Sequence, residues 1–248
     1  ANAGYQPGSV GKLAVLTGLF TQLAKIYPKS FEKRTELLKN KVVKGGNWAL
    51  TDEHTVPIFD IKTNKLVKRQ VIASDTFSLY EWADHMLSVS NNGAASVVWR
   101  EALLMAVFGE KYPTVTQAEI DAYFKDTPKG EITDLAIDVV NLPLRNLGIT
   151  FEEWRLGTFF TKGANQYVGS KDGSSGTPIG LMKWMVQLEQ GKIVDEKSSL
   201  EMKRMMYMTD RRIRYAQAPQ LREAAVFFKS GSLYKCDKTK DPNCGKYR

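Results

Sequence analysis

Residues 77–95 read Phe77-Ser78-Leu79-Tyr80-Glu81-Trp82-Ala83-Asp84-His85-Met86-Leu87-Ser88-Val89-Ser90-Asn91-Asn92-Gly93-Ala94-Ala95, and the reading of this stretch decides the fold. Ser78 followed by Glu81 is a capping box, in which hydroxyl and carboxylate each satisfy a backbone N–H of the first helical turn. Leu79, Trp82, Ala83 and Met86 then fall on one helical face. Ser90-Asn91-Asn92-Gly93 interrupts the helix with residues that favour turns, and a second helix is expected from Ala94 to Phe108. The result is Ser-x-Asn in a tight helix-to-helix connection.

Toward the N-terminus, Leu16, Leu19, Phe20 and Leu23 make an apolar stripe of helical period that Pro28 ends. Ser9-Val10-Gly11-Lys12 stands at its mouth. Residues 42–75, richer in β-branched residues, Gly and Asn, read as loop with a hairpin around Thr63-Asn64. Toward the C-terminus, Thr116 and Glu119 form a second capping box, and a helix is expected over 133–142, ended by Pro143. A third box, Thr150 to Glu153, starts only a short turn. Residues 157–177 are rich in Gly and Ser and read as a long loop, a feature usually functional or disordered. Thr177-Pro178 gives an N-cap with Pro at the first helical position. Leu181, Trp184, Met185 and Leu188 form that helix's stripe, Gly191 stops it, and another helix covers about 196–208. Ala224 to Tyr234 is the clearest strand and carries Lys229-Ser230-Gly231. The whole chain, 1–248, is read as one domain: 13–223 mostly helical, 224–235 a strand of a sheet.

Each short signal is weak alone. Ser-x-x-Lys occurs three times, at Ser9/Lys12, Ser30/Lys33 and Ser232/Lys235, and a plain N-cap would account for Ser9. Ser90-Asn91-Asn92 alone is a turn, and Lys229-Ser230-Gly231 alone a strand end. Their order and setting resemble the serine β-lactamase and penicillin-binding protein superfamily, whose signature is S-x-x-K, S-D-N and K-T-G. Residues 77–95 resemble the class A helix and turn that carry S-D-N. Thr177 to Leu188, with Gly191 to Val194, resembles the helix after the omega loop. The similarity spans nearly the whole chain, with two insertions, around 43–73 and 110–140.

The resemblance implies an α/β fold of the β-lactamase/transpeptidase type. Its helical domain would be present and its sheet incomplete here, with flanking strands missing at both ends. Only eight residues precede Ser9 and seventeen follow Gly231, and a lone strand leaves backbone groups unpaired. The resemblance also implies roles. Ser9 is the nucleophile, which needs a base to take its proton. Lys12, on the same helical face, is that base once desolvation and a second cation lower its affinity for a proton. Lys229 would supply that second charge or bind a substrate carboxylate. Ser90 would relay a proton to the leaving nitrogen, and Asn92 would bond a substrate amide. Ser230 and Gly231 complete the third motif, and the backbone N–H groups of Ser9 and Ser232 form the oxyanion hole. No cofactor and no metal are expected.

Two departures matter. The middle motif has Asn91 where the family has Asp. Class A enzymes carry a Glu in the omega loop that activates the deacylating water. In the matching stretch Glu153-Trp154-Arg155-Leu156-Gly157 that place falls to Arg155, with Glu152 or Glu153 as substitutes after a register shift. The leading reading is a β-lactamase-like serine hydrolase that forms an acyl-serine intermediate; a penicillin-binding or D,D-peptidase-like acyltransferase, and a sensor that holds an acyl group without turnover, stay open as alternatives. The substrate would be a small molecule or a peptidoglycan-like peptide.

Composition narrows the alternatives. Lys and Arg number 35 against 27 acidic residues, a net charge of +8 with a pI of about 9.3. The cations are scattered, the densest cluster being Lys203, Arg204, Arg211, Arg212 and Arg214, and no nucleic-acid signature accompanies them, so no nucleic-acid partner is expected. Two His and two Cys exclude a zinc site of standard spacing. No apolar run approaches the ~20 residues of a membrane span. Cys236 and Cys244 are read as either a local disulfide, in keeping with a periplasmic or secreted protein, or two free thiols.

Overall fold

The computed structural model describes residues 3–209 and 212–232. Among these residues eight α-helices dominate: α1 (Lys12–Ile26), α2 (Phe31–Asn40), α3 (Leu79–Leu87), α4 (Asn92–Phe108), α5 (Gln117–Asp126), α6 (Lys129–Asn146), α7 (Pro178–Glu189) and α8 (Glu196–Tyr207). A 3-10 turn, Gly8–Gly11, leads into α1. The capping boxes at Ser78/Glu81 and Thr116/Glu119 are formed, and Thr177 caps α7. Helix α2 follows from Ser30, whose hydroxyl accepts from the Lys33 N–H. That cap accounts for the second Ser-x-x-Lys.

Helix α1 is apolar nearly all round and sits in the centre, packed against α4 and α6. Leu16, Leu19 and Leu23 are wholly buried, each contributing roughly 1.5–3 kcal/mol by leaving water. Buried indoles tie the layers together: Trp82 Nε1 donates to Val43 O (2.9 Å), Trp99 Nε1 to Ala136 O (2.7 Å), and Trp184 Nε1 to Thr17 Oγ1 (2.9 Å).

Pro143 does not end α6, which runs through it to Asn146. A proline inside a helix leaves the carbonyl four residues earlier without its N–H. That carbonyl belongs to Val139 and faces Gly18 of α1, where a Cβ would come within 2.8 Å of it. The glycine lets α1 close over the break.

Sheet content among the described residues is three two-stranded antiparallel ladders. β1 (Val42–Lys44) pairs with β4 (Thr76–Ser78). β2 (Thr55–Asp60) pairs with β3 (Lys65–Gln70) in the hairpin expected at Thr63-Asn64. β5 (Trp154–Arg155) pairs with β6 (Ser175–Gly176). Over its described part, 224–232, the strand expected over 224–234 is not formed: residues 225–232 have no regular secondary structure. A strand needs a neighbour for its ladder, and no ladder among the described residues includes this segment. The segment is instead tied down singly, with Phe228 N–H donating to Met206 O and Thr209 Oγ1 to Phe228 O. Cys236 and Cys244 lie outside the described residues. Among the described residues no helix is long and apolar enough to cross a membrane.

Candidate active site

The turn before α1, the α3–α4 connection and residues 229–232 converge on one point. Lys12 is there, its side chain wholly buried. Its Nζ donates to Ser9 Oγ (3.0 Å), Ser90 O (2.6 Å) and Asn92 Oδ1 (2.7 Å), and lies 3.2 Å from Ser90 Oγ. The Phe160 ring covers it, 5.3 Å from Nζ to centroid. Lys229 Nζ donates to Ser90 Oγ (2.8 Å) and to Ser230 O (2.9 Å). Ser90 Oγ thus lies between two amines. Burial pushes the Lys12 amine well below its ordinary proton affinity, the Lys229 charge pushes the same way, and Asp52 opposes both.

Local geometry explains the convergence. Ser90 sits at φ +60°, a left-handed conformation that costs a non-glycine residue on the order of 1–3 kcal/mol. It turns both the carbonyl and the hydroxyl of Ser90 onto Lys12. Asn91, fully buried, holds that turn: its Oδ1 caps α4 through Ala94 N–H (2.6 Å) and its Nδ2 donates to His54 O (3.0 Å). A carboxylate has no donor for the second bond, which gives a physical reason for Asn here in place of Asp.

The third motif reaches the same point without a strand. A Cβ on Gly231 would meet Pro7 O at 2.6 Å and Val10 Cγ2 at 2.9 Å, so only glycine lets this segment lie against the Ser9 turn. Gly8, at φ +54°, faces the Ser232 backbone, the nitrogen 3.4 Å from where a Cβ would stand. The backbones of Gly8 and Ser232 are thereby neighbours.

The side lined by Leu156 and Phe160 is apolar. Leu156 and Phe160 pack against Gly11. Arg155 turns away, donating to Phe151 O and Asp172 O (both 3.2 Å) and stacking over the Phe151 ring. Glu153 bonds Thr150 N–H (2.9 Å) and pairs with Lys183 (2.6 Å). Glu152 is exposed, its charge set against Arg145 and Arg155. Neither carboxylate is bonded to Ser9 or Lys12, so a register shift does not bring one in.

One residue at the centre was not singled out by the motifs. Asp52, its side chain only 3% exposed, accepts from Asn92 N (2.6 Å), Asn92 Nδ2 (3.1 Å), Gly93 N (3.4 Å), His54 N (3.3 Å) and His54 Nδ1 (2.7 Å). Burial raises its proton affinity, but the bonds from His54 and Asn92 outweigh that and hold it below the usual carboxylate value. Forty residues separate it from Asn92, so no short motif contains both. A separate cleft of about 900 Å³, walled by Trp48, Phe124 and Tyr167, includes none of Ser9, Lys12, Ser90 or Lys229. Among the described residues no His, Cys, Asp and Glu cluster could hold a metal ion.

No protein-family profile and no curated protein matches the sequence. Solved structures do match. A β-lactamase from Sphaerobacter thermophilus aligns over 87% of this chain and 60% of its own, with a TM-score of 0.51 and 11% identity. A class A β-lactamase representative from Bacteroides cellulosilyticus aligns over 83% and 55%, with a TM-score of 0.48 and 15% identity. PBP-A aligns over 83% and 55%, with a TM-score of 0.46 and 11% identity. The chain therefore spans little more than half the length of the solved structures it matches. From the first of these alignments and the helical body described above, the chain has a β-lactamase-like fold, with sheet content among the described residues limited to three short ladders.

Proposed function

We propose that this chain carries the acylating half-site of a serine β-lactamase-like acyltransferase, with Ser9 as nucleophile. The observation that carries the reading is the Lys12 amine, buried and held within hydrogen-bond distance of Ser9, Ser90 and Asn92. In its neutral form Lys12 takes the Ser9 hydroxyl proton as Oγ attacks the carbonyl carbon of a β-lactam or acyl-peptide. The carbonyl oxygen takes up the negative charge between the N–H groups of Ser9 and Ser232. As the C–N bond breaks, Ser90 gives its proton to the leaving nitrogen and recovers one from the Lys12 ammonium, leaving acyl-Ser9. Lys229 orients Ser90 and attracts a substrate carboxylate, and Asn92 donates its second amide hydrogen to a substrate carbonyl.

A specific observation favours slow release, as in an acyltransferase or an acyl-holding sensor. The side of the site where class A enzymes hold their water-activating Glu presents Leu156 and Phe160, with Arg155 turned outward. Loss of a general base typically costs ~10²–10⁴-fold, so the acyl-enzyme should accumulate. Stopped-flow with a chromogenic cephalosporin tests this. A burst of one equivalent, absent in Lys12→Met, followed by slow release supports the reading. Linear turnover without a burst, or a burst that survives Lys12→Met, overturns it.

A further inference from the structure

We infer that Asp52 is a positioning residue for the acylation proposed above: it sets the direction of the Asn92 amide and thereby holds Lys12. This inference rests on the proposed role of Lys12. An amide presents two ends of nearly the same shape, and only hydrogen-bond partners decide which way it points. Asn92 accepts from Lys12 at Oδ1 (2.7 Å) and donates to Asp52 at Nδ2 (3.1 Å). Flipped, it would set an NH2 group against the Lys12 amine and a carbonyl oxygen against the Asp52 carboxylate. The second contact is repulsive in either state of Lys12, and the first is repulsive whenever Lys12 is an ammonium. Asp52 is itself held by backbone N–H groups of Asn92 and His54 and by the His54 ring.

A simpler account makes Asp52 a second cap on α4, since it also accepts from the N–H groups of Asn92 and Gly93. That account leaves two facts unused. Asn91 already caps the helix through Ala94 N–H. The Asp52 bond to Asn92 Nδ2 satisfies no helical N–H and leads directly to Lys12. Electrostatics add a second link. The charged groups acting on Lys12 are Lys229, which favours its neutral form, and Asp52, which favours the ammonium, with His54 behind Asp52. The motif's own acidic position is occupied by Asn91, whose Nδ2 bonds the same 52–54 loop. The carboxylate of this site therefore comes from outside the motif.

The test uses the full chain with 13C,15N-labelled lysine and follows the Lys12 titration by NMR in three proteins: unsubstituted, Asp52→Asn and Asp52→Ala. Asp52→Asn keeps an acceptor for the helix N–H groups but removes the charge and the preference for Asn92 Nδ2. Thermal midpoints are measured alongside. The inference expects the Lys12 midpoint to fall in both variants, with the thermal midpoint of Asp52→Asn nearly unchanged. The acid limb of acylation by a penicillin should move to lower pH with it, and the maximal acylation rate should drop about tenfold to a hundredfold from the lost orientation. A Lys12 midpoint identical in all three proteins, with only thermal stability reduced, makes Asp52 a cap and overturns the inference. An unchanged maximal acylation rate also overturns it. If the unsubstituted protein forms no acyl adduct, the proposed function fails on its own, and the Lys12 titration still decides whether Asp52 holds that amine.

Discussion

Raising the pH from 7.5 to 9.5 should stabilise this fold through Lys12, and replacing that residue by Met should abolish the effect. In the unfolded chain the Lys12 amine titrates near its ordinary value of 10.5, whereas burial and Lys229 lower it well below that in the folded chain. Between the two values the unfolded state holds one proton more than the native state. Stability then rises with pH, by up to 2.303RT, about 1.4 kcal/mol per pH unit. The window closes between pH 10.0 and 10.5, the ordinary values of a tyrosine and a lysine. Tyr112, wholly buried beside Glu101, has its phenol raised well above 10.0, so the unfolded state loses that proton first and the slope reverses. Urea unfolding at five pH values, for the unsubstituted chain and Lys12→Met, gives the difference directly. The predicted result is a steeper rise in the unsubstituted chain by up to about 1.4 kcal/mol per unit. Parallel pH profiles would mean that Lys12 titrates alike folded and unfolded, and the argument for its role as a base would lose its footing.

Other expectations follow from close approaches and from the omega-loop side. Gly18→Ala should lower stability by about 1–2 kcal/mol, because overpacking against the α6 backbone exceeds the ~1 kcal/mol gained in helix propensity; a raised thermal midpoint would count against the packing described. Gly231→Ala should reduce acylation more than tenfold, because its Cβ cannot fit beside Pro7 and Val10; an unaltered burst rate would show that residues 229–232 take no part. Arg155→Glu should speed the slow release phase more than the burst, measured by stopped-flow, if that side chain can turn inward from Phe151 and Asp172; acceleration of the burst alone would contradict the assignment of the omega loop.

What was legible in the sequence was local. Capping boxes at Ser78 and Thr116, the Thr177-Pro178 start and the apolar stripes of α1, α3 and α7 all place helices, because each depends on neighbours within one or two turns. The Ser-x-x-Lys, Ser-x-Asn and Lys-Ser-Gly signals meet in space. Three features were not legible, each for a physical reason. Pro143 lies within a helix because Gly18 on another element accommodates the freed carbonyl of Val139. Residues 224–232 have strand composition, but a strand exists only with a partner, and composition does not report one. Asp52 joins the site through bonds across forty residues, so its carboxylate has no signature near Asn92. Ser30 was visible only as a repeat of Ser-x-x-Lys, and its plain capping role explains why that pattern alone says so little.

Acylation of Ser9 with the help of Lys12 is the reaction proposed for this site. Intact-protein mass spectrometry after incubation with a penicillin, followed by peptide mapping, tests it most directly. The account predicts one added penicillin mass per chain, on the peptide that contains Ser9, persisting for minutes or longer and absent in Ser9→Ala. No added mass on the unsubstituted chain, or a mass on Ser30, Ser232 or any other residue, would contradict it.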